Sequence, residues 1–159
     1  MQRTRLRRAR AEDAEAIAAI WLAGWRESHL GHVPEALVAA RTPASFRSRA
    51  AQRLDDTTVA VVADAVAGFV MVVGAEVEQV YVDSAHRGTG VAALLLDEAQ
   101  CLVAAAGYRR AWLAVIANNM RARRFYKRRG WTDEGAFDYP AKTEGGPVLV
   151  PCHRYVRAV

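Results

Sequence analysis

A single α/β domain, a mixed and twisted β-sheet flanked by helices, is the architecture this sequence predicts, and three observations predict it. The apolar period switches along the chain between helical stripes and β-branched runs, in the order strand, helices, three strands, helix, strand, helix, strands. The 159 residues suffice for one core, and no repeat, low-complexity segment or linker divides them, so 1–159 reads as one domain. In "VYVDSAHRGTGVAALLLDEAQ", from Val80 to Gln100, a strand passes through an arginine–glycine turn directly into a helix.

A short strand is expected around Arg5 to Arg8. In "AEDAEAIAAIWLAGW", Ile17, Ile20, Trp21, Gly24 and Trp25 fall at i, i+3, i+4, i+7 and i+8, one helical stripe. Glu12, Asp13 and Glu15 crowd its first turn, where the helix dipole favours carboxylates. "GHVPEALVAARTPASFRSRAAQRL" reads as a loop and one or two short helices, with Thr42 as N-cap before Pro43. "TTVAVVA" and "VAGFVMVVG" form a hairpin turning near Asp64, and "EVEQVYV" is a third strand. A helix runs from about Gly90 to Ala106 and stops at Gly107. "AWLAVIA" is a strand, "NNMRARRFYKRRG" a short helix closed by Gly130, and "WTDEGAFDY" and "PVLVPCHRYV" are the last strands.

Composition excludes several classes. No run approaches the roughly 18 apolar residues of a membrane helix, and the basic start "MQRTRLRRAR" lacks the apolar run of a secretory signal, so a cytoplasmic protein with no membrane partner is expected. The net charge of +5 invites nucleic acid, but the cations are almost all arginine and no aromatics interleave with them, which argues against a base-stacking surface. Cys101 and Cys152 are expected as buried or half-buried free thiols. No His, Cys and carboxylate spacing marks a metal site.

The arginine–glycine turn carries the chemistry. A helix N-terminus presents unpaired N–H groups and a positive dipole end, which together hold phosphate. Glycines there permit positive φ and let oxygens approach the backbone. A P-loop fails for want of the Lys-Ser/Thr pair. A dinucleotide turn fails because "DSAHR" separates strand from glycine and the next strand ends in asparagines rather than an acid.

Arg87-Gly88-Thr89-Gly90-Val91-Ala92 resembles the R/Q-x-x-G-x-G/A signature of the GNAT superfamily of acyl-CoA-dependent N-acetyltransferases. Asn119, Ala122, Phe125, Tyr126, Gly130 and Trp131 fit its second signature, N-x-x-A-x-x-F-Y-x-x-x-G-[FW]. The resemblance is close from Glu76 to Trp131 and extends in element order from Arg3 to Arg157. It implies two parallel central strands, Glu76–Asp83 and Ala111–Ala117, splayed at one end. Pantetheine would lie in that wedge against the backbone of Val80, Tyr81 and Val82. The amides from Gly88 through Thr89, Gly90 and Val91 to Ala92, with Arg87 beside them, would hold the pyrophosphate of acetyl-CoA, the expected cosubstrate, and Asn119 and Tyr126 would border it. No metal is expected.

The same resemblance makes Tyr126 the general acid, although core packing would also place it with Ala122 and Phe125 on one helix face. Glu76 or Glu78 would be the general base, and a backbone N–H near Val80 or Tyr81, at a β-bulge, would stabilise the oxyanion. "GWRESHLGHVPEAL" resembles a segment of one bacterial branch, which nominates Trp25 and His29, with Arg26 and His32, as acceptor-site residues. Ala114 stands where peptide-N-terminal acetylating members often carry glutamate, so a small-molecule primary amine is the expected acceptor. A protein lysine or N-terminus, or a non-catalytic CoA-binding regulatory module, are the alternatives. A homodimer stays open.

Overall fold

The computed structural model describes residues 3–159. One seven-stranded sheet runs through it in the order β1-β2-β3-β4-β5-β7-β6. Its strands are β1 (Thr4–Arg8), β2 (Thr57–Val62), β3 (Ala65–Val73), β4 (Glu76–Val82), β5 (Arg110–Ile116), β6 (Thr132–Ala141) and β7 (Val148–Ala158). Every neighbouring pair is antiparallel except β4 and β5, which are parallel. The helices are α1 (Ala14–His29), α2 (Glu35–Ala40), α3 (Pro43–Gln52), α4 (Val91–Ala105) and α5 (Met120–Arg128). This is the mixed sheet with splayed parallel central strands expected from the sequence.

Local chemistry sets the boundaries. Thr42 caps α3 by accepting the Ser45 amide at 3.1 Å, with Pro43 at its first position. Ala63 and Asp64 both take positive φ, as a two-residue hairpin turn requires, and join β2 to β3. Asp13 precedes α1 and is nearly fully buried, its oxygens accepting from Arg7 at 2.7 and 3.1 Å and from the Arg10 amide at 2.7 Å. The Arg7 bond holds its carboxyl below the usual carboxylate range.

The sheet buries two cores. On one face α1 and α3 cover Trp21, Phe46, Val59, Phe69 and Met71. On the other, α4 covers Val70, Val77, Leu113 and Tyr155, and Ala122, Phe125 and Tyr126 of α5 pack at its margin. The buried face of α4 is Val91, Leu95, Leu96, Ala99 and Val103. Cys101 lies across the helix from Ala99 and is exposed, so its expected burial is corrected, whereas Cys152 is buried as anticipated.

Gly24 positions the site through packing alone. A Cβ there would run into the ring of Tyr81, which packs against α1 at that residue. Gly24→Ala therefore forces the ring off α1 or the helix off the sheet. The expected cost is about 1–3 kcal/mol, read as a lowered thermal midpoint, and an unchanged midpoint would show that the seat is not needed.

Candidate active site

The sheet opens where β4 meets β5. Their register contains one pair, Glu76 opposite Trp112, with the Trp112 amide donating to the Ala75 carbonyl at 3.0 Å. Beyond it the strands part, each still paired on its outer side, β4 to β3 and β5 to β7. The inner edges therefore border a cavity of about 1310 Å³ that reaches from α1–α3 through the gap to α5. Single-ligand pockets hold roughly 300–1,000 Å³, so this one has room for two reactants.

At the far end of β4 the Asp83 amide returns to the Ala67 carbonyl at 2.8 Å, and one 3-10 turn, Ser84–His86, leads to the glycines. Gly88 and Gly90 sit at φ of 75° and 87°, the left-handed region where an L side chain is strained. Among the described residues no acceptor takes the amides from Gly88 to Ala92. Thr89 donates its hydroxyl to the His86 carbonyl, bracing the turn. Arg87 does not stand free: its guanidinium grips Glu27 of α1, with one contact at 2.8 Å, and the two hold each other charged. Val80, Val82 and Val91 pack their side chains against the α4 core.

Tyr126 closes the cavity from α5. Its ring packs edge-on against Phe125 and Trp131 and tilts over Tyr155. Its hydroxyl forms no hydrogen bond with a described residue, and burial first, then Tyr81, pushes its pKa up, so the phenol stays protonated throughout neutral pH. Asn119 caps α5, its carbonyl oxygen accepting the Ala122 amide at 3.2 Å, and also lines the cavity.

The two glutamates of β4 differ in engagement. Met71 faces Gln79 and Val72 faces Val77, so Glu78 is the extra residue of a β-bulge. The bulge was expected at Val80 or Tyr81 and lies two to three residues earlier, at Glu78. Val77, Val80 and Val82 all face α4, and a three-residue step between the first two is only compatible with one inserted residue. Both oxygens of Glu78 are held by Arg53, at 2.8 and 3.0 Å. Glu76 accepts a single 2.6 Å bond from Tyr139 and keeps its second oxygen open. Burial raises the Glu76 carboxyl toward neutrality against the opposing pull of the Tyr139 hydrogen bond.

On the α1 side, Trp25 is buried and stacks on His29 with centroids 4.8 Å apart. His29 Nδ1 lies 2.7 Å from the Ser28 hydroxyl and 3.1 Å from the Trp25 carbonyl, which fix the ring's orientation. Burial pushes this imidazole down to about 4, so it is neutral at physiological pH. Arg26 is exposed, and His32 reaches Asn118 at 2.9 Å away from the cavity. Tyr139, Arg53, Arg41 and Arg49 line the cavity without having been singled out in the sequence. Cys152 also borders it, but burial pushes its thiol up to about 12, and His153 is engaged with Asp133 at 3.0 Å. No cluster of three or more His, Cys, Asp or Glu side chains among the described residues could hold a metal ion, and no helix there is long and apolar enough to cross a membrane.

Known proteins share this fold. The GCN5-related N-acetyltransferase from Rhodopseudomonas palustris matches with a TM-score of 0.76 at 22% identity, covering 100% of this chain and 98% of its own. Ard1 from Thermoplasma volcanium matches at 0.72 and 20% identity, over 98% and 97%. PaiA N-acetyltransferase from Thermoplasma acidophilum, in complex with coenzyme A, matches at 0.71 and 15% identity, over 99% of both chains. Among curated proteins none matches the sequence. The sequence model described as the acetyltransferase (GNAT) family matches residues 14–131, which spans the wedge, the glycine turn and the Tyr126 helix alike, and the chain belongs to that family.

Proposed function

We propose that this protein transfers acetyl from acetyl-CoA to a primary amine by direct attack. The observation that carries the reading is the open inner edge of β4 running up to a turn whose five amides have no acceptor among the described residues. An extended pantetheine arm pairs with such an edge as a strand does, and a diphosphate suits such a turn. Arg87 serves this site by tying the turn to α1 through Glu27.

The chemistry follows from the groups facing the cavity. The acceptor ammonium gives one proton to Glu76, which passes it to solvent. The freed lone pair attacks the thioester carbon, the C–N bond forms and the C–S bond breaks. Tyr126 protonates the departing sulfur, and the second proton shed by nitrogen restores the phenol. Glu76 is the base in preference to Glu78 because its open oxygen can accept a proton, while both Glu78 oxygens are bound to Arg53. The raised carboxyl of Glu76 brings its basicity closer to the working pH. Trp25 and His29 form the acceptor wall, and a neutral His29 does not repel a cationic amine there.

Acetyl-CoA is expected to raise the thermal midpoint by linkage to the native state, and Gly90→Val to abolish that rise. A retained rise in the variant would remove the turn from the cofactor site. Tyr126→Phe is expected to lower kcat by about 10²–10⁴ with acetyl-CoA binding nearly intact; unchanged turnover would place the acid elsewhere. A protonated Glu76 cannot accept, so kcat/KM falls on the acid side as pH drops through its raised pKa. Glu76→Gln should remove that limb along with most of the rate, and a pH profile identical to the parent's would exclude Glu76 as base.

A further inference from the structure

Two arginines in the cavity wall, Arg41 and Arg49, form no ion pair with a described residue, although the Glu78 charge reaches Arg49 at longer range. Arg41, ending α2, is only 8% exposed, and its guanidinium forms no ion pair or hydrogen bond with a described residue. Arg49, on α3, lies with its Cζ 4.2 Å over the Trp21 ring and 5.5 Å from that of Phe46. Its Nη1 is buried with no acceptor, and so is Nε1 of the Trp21 ring beneath it. One helical turn further on, Arg53 is matched by Glu78 and Asp56. Of the other carboxylates of the wall, Glu76 is bonded to Tyr139 and makes no ion pair with either arginine, and Glu144 is exposed.

Such a pair is costly when left alone. Burial depresses both arginines, and Arg41 and Arg53 add their repulsion to Arg49, which is pushed down to about 10. At neutral pH each still holds its proton. Buried charge lacking a partner is stabilised strongly by an anion that supplies one. The guanidinium fork matches the two oxygens of a carboxylate, and the Trp21 face beneath Arg49 holds its plane in place for such a contact.

We propose that Arg41 and Arg49 form a subsite for an acidic group on the acceptor, which is therefore an amine bearing a carboxylate or similar oxyanion. Its nitrogen lies at Glu76 and its acid at the arginine pair, so the cavity reads both ends of a zwitterion. This rests on the acyl-transfer reading above. It also makes a cationic polyamine a poor substrate, because a second ammonium would meet two unpaired guanidiniums.

The test measures CoA thiol release from acetyl-CoA with the common α-amino acids, β-alanine and 4-aminobutyrate, each against its carboxamide. Acids are expected to exceed their carboxamides by about ten- to a hundredfold in kcat/KM, the worth of one or two charge-assisted hydrogen bonds. Arg49→Gln, and separately Arg41→Gln, should erase that preference while retaining the acetyl-CoA-dependent rise in thermal midpoint. Should either variant fail to fold, the comparison of acids with carboxamides on the unaltered protein decides alone. The proposal is overturned if carboxamides match the acids or if the preference survives in both variants. Acetyl-CoA binding with no acid in the panel consumed also overturns it. If acetyl-CoA gives no thermal rise in the unaltered protein, the acyl-transfer reading itself fails, a result distinct from those three.

Discussion

The parting of β4 from β5 is the constraint on which the rest depends. Each strand is committed on its outer side, β4 to β3 and β5 along its whole length to β7. Once a single pair has formed at Glu76 and Trp112, the two half-sheets follow their own registers and leave two inner edges unpaired. Unpaired main chain in a protein interior is unfavourable without a partner. The cleft is therefore written into the sheet's hydrogen bonding, and the loops around it only trim its mouth. Helices α1 and α3 on one face and α4 on the other hold the halves at their spacing.

Charge is distributed around this gap with little redundancy. Arg87 is spent on Glu27, Arg53 on Glu78, and Tyr139 on Glu76, so the charged groups of the β4 edge have fixed orientations. The bulge at Glu78 makes this possible. It lets Val77 stay in the α4 core while Glu76 and Glu78 both reach the cavity, which regular alternation from Val80 would forbid. A backbone irregularity thus reconciles an apolar requirement on one face with a polar one on the other.

Legibility in the sequence followed the range of the interaction. Thr42 and Pro43, the hairpin at Asp64, and the glycines at 88, 90 and 107 act within a few residues, and the sequence expectation for each agreed with the structure. The bulge was expected near Val80 or Tyr81 on the resemblance alone and lies at Glu78, a position that the valine spacing at 77, 80 and 82 also marks. The partners of the site were not legible. Glu27 lies 60 residues from Arg87, Arg53 lies 25 from Glu78 and Tyr139 lies 63 from Glu76. No local pattern encodes such pairings, because the sheet order creates them. Arg41 and Arg49 looked like part of a general arginine excess, and only their burial without carboxylates sets them apart.

The unequal setting of the two sulfurs has a practical side. Cys152 is buried in the cavity wall with its thiol raised to about 12, so very little of it is thiolate at neutral pH. Cys101 stands in solvent on the outer face of α4. An electrophile or mild oxidant in the surrounding water meets one sulfur and not the other. A fluorophore or spin label attached there rides on the helix that begins at the glycine turn, with no engineered cysteine required.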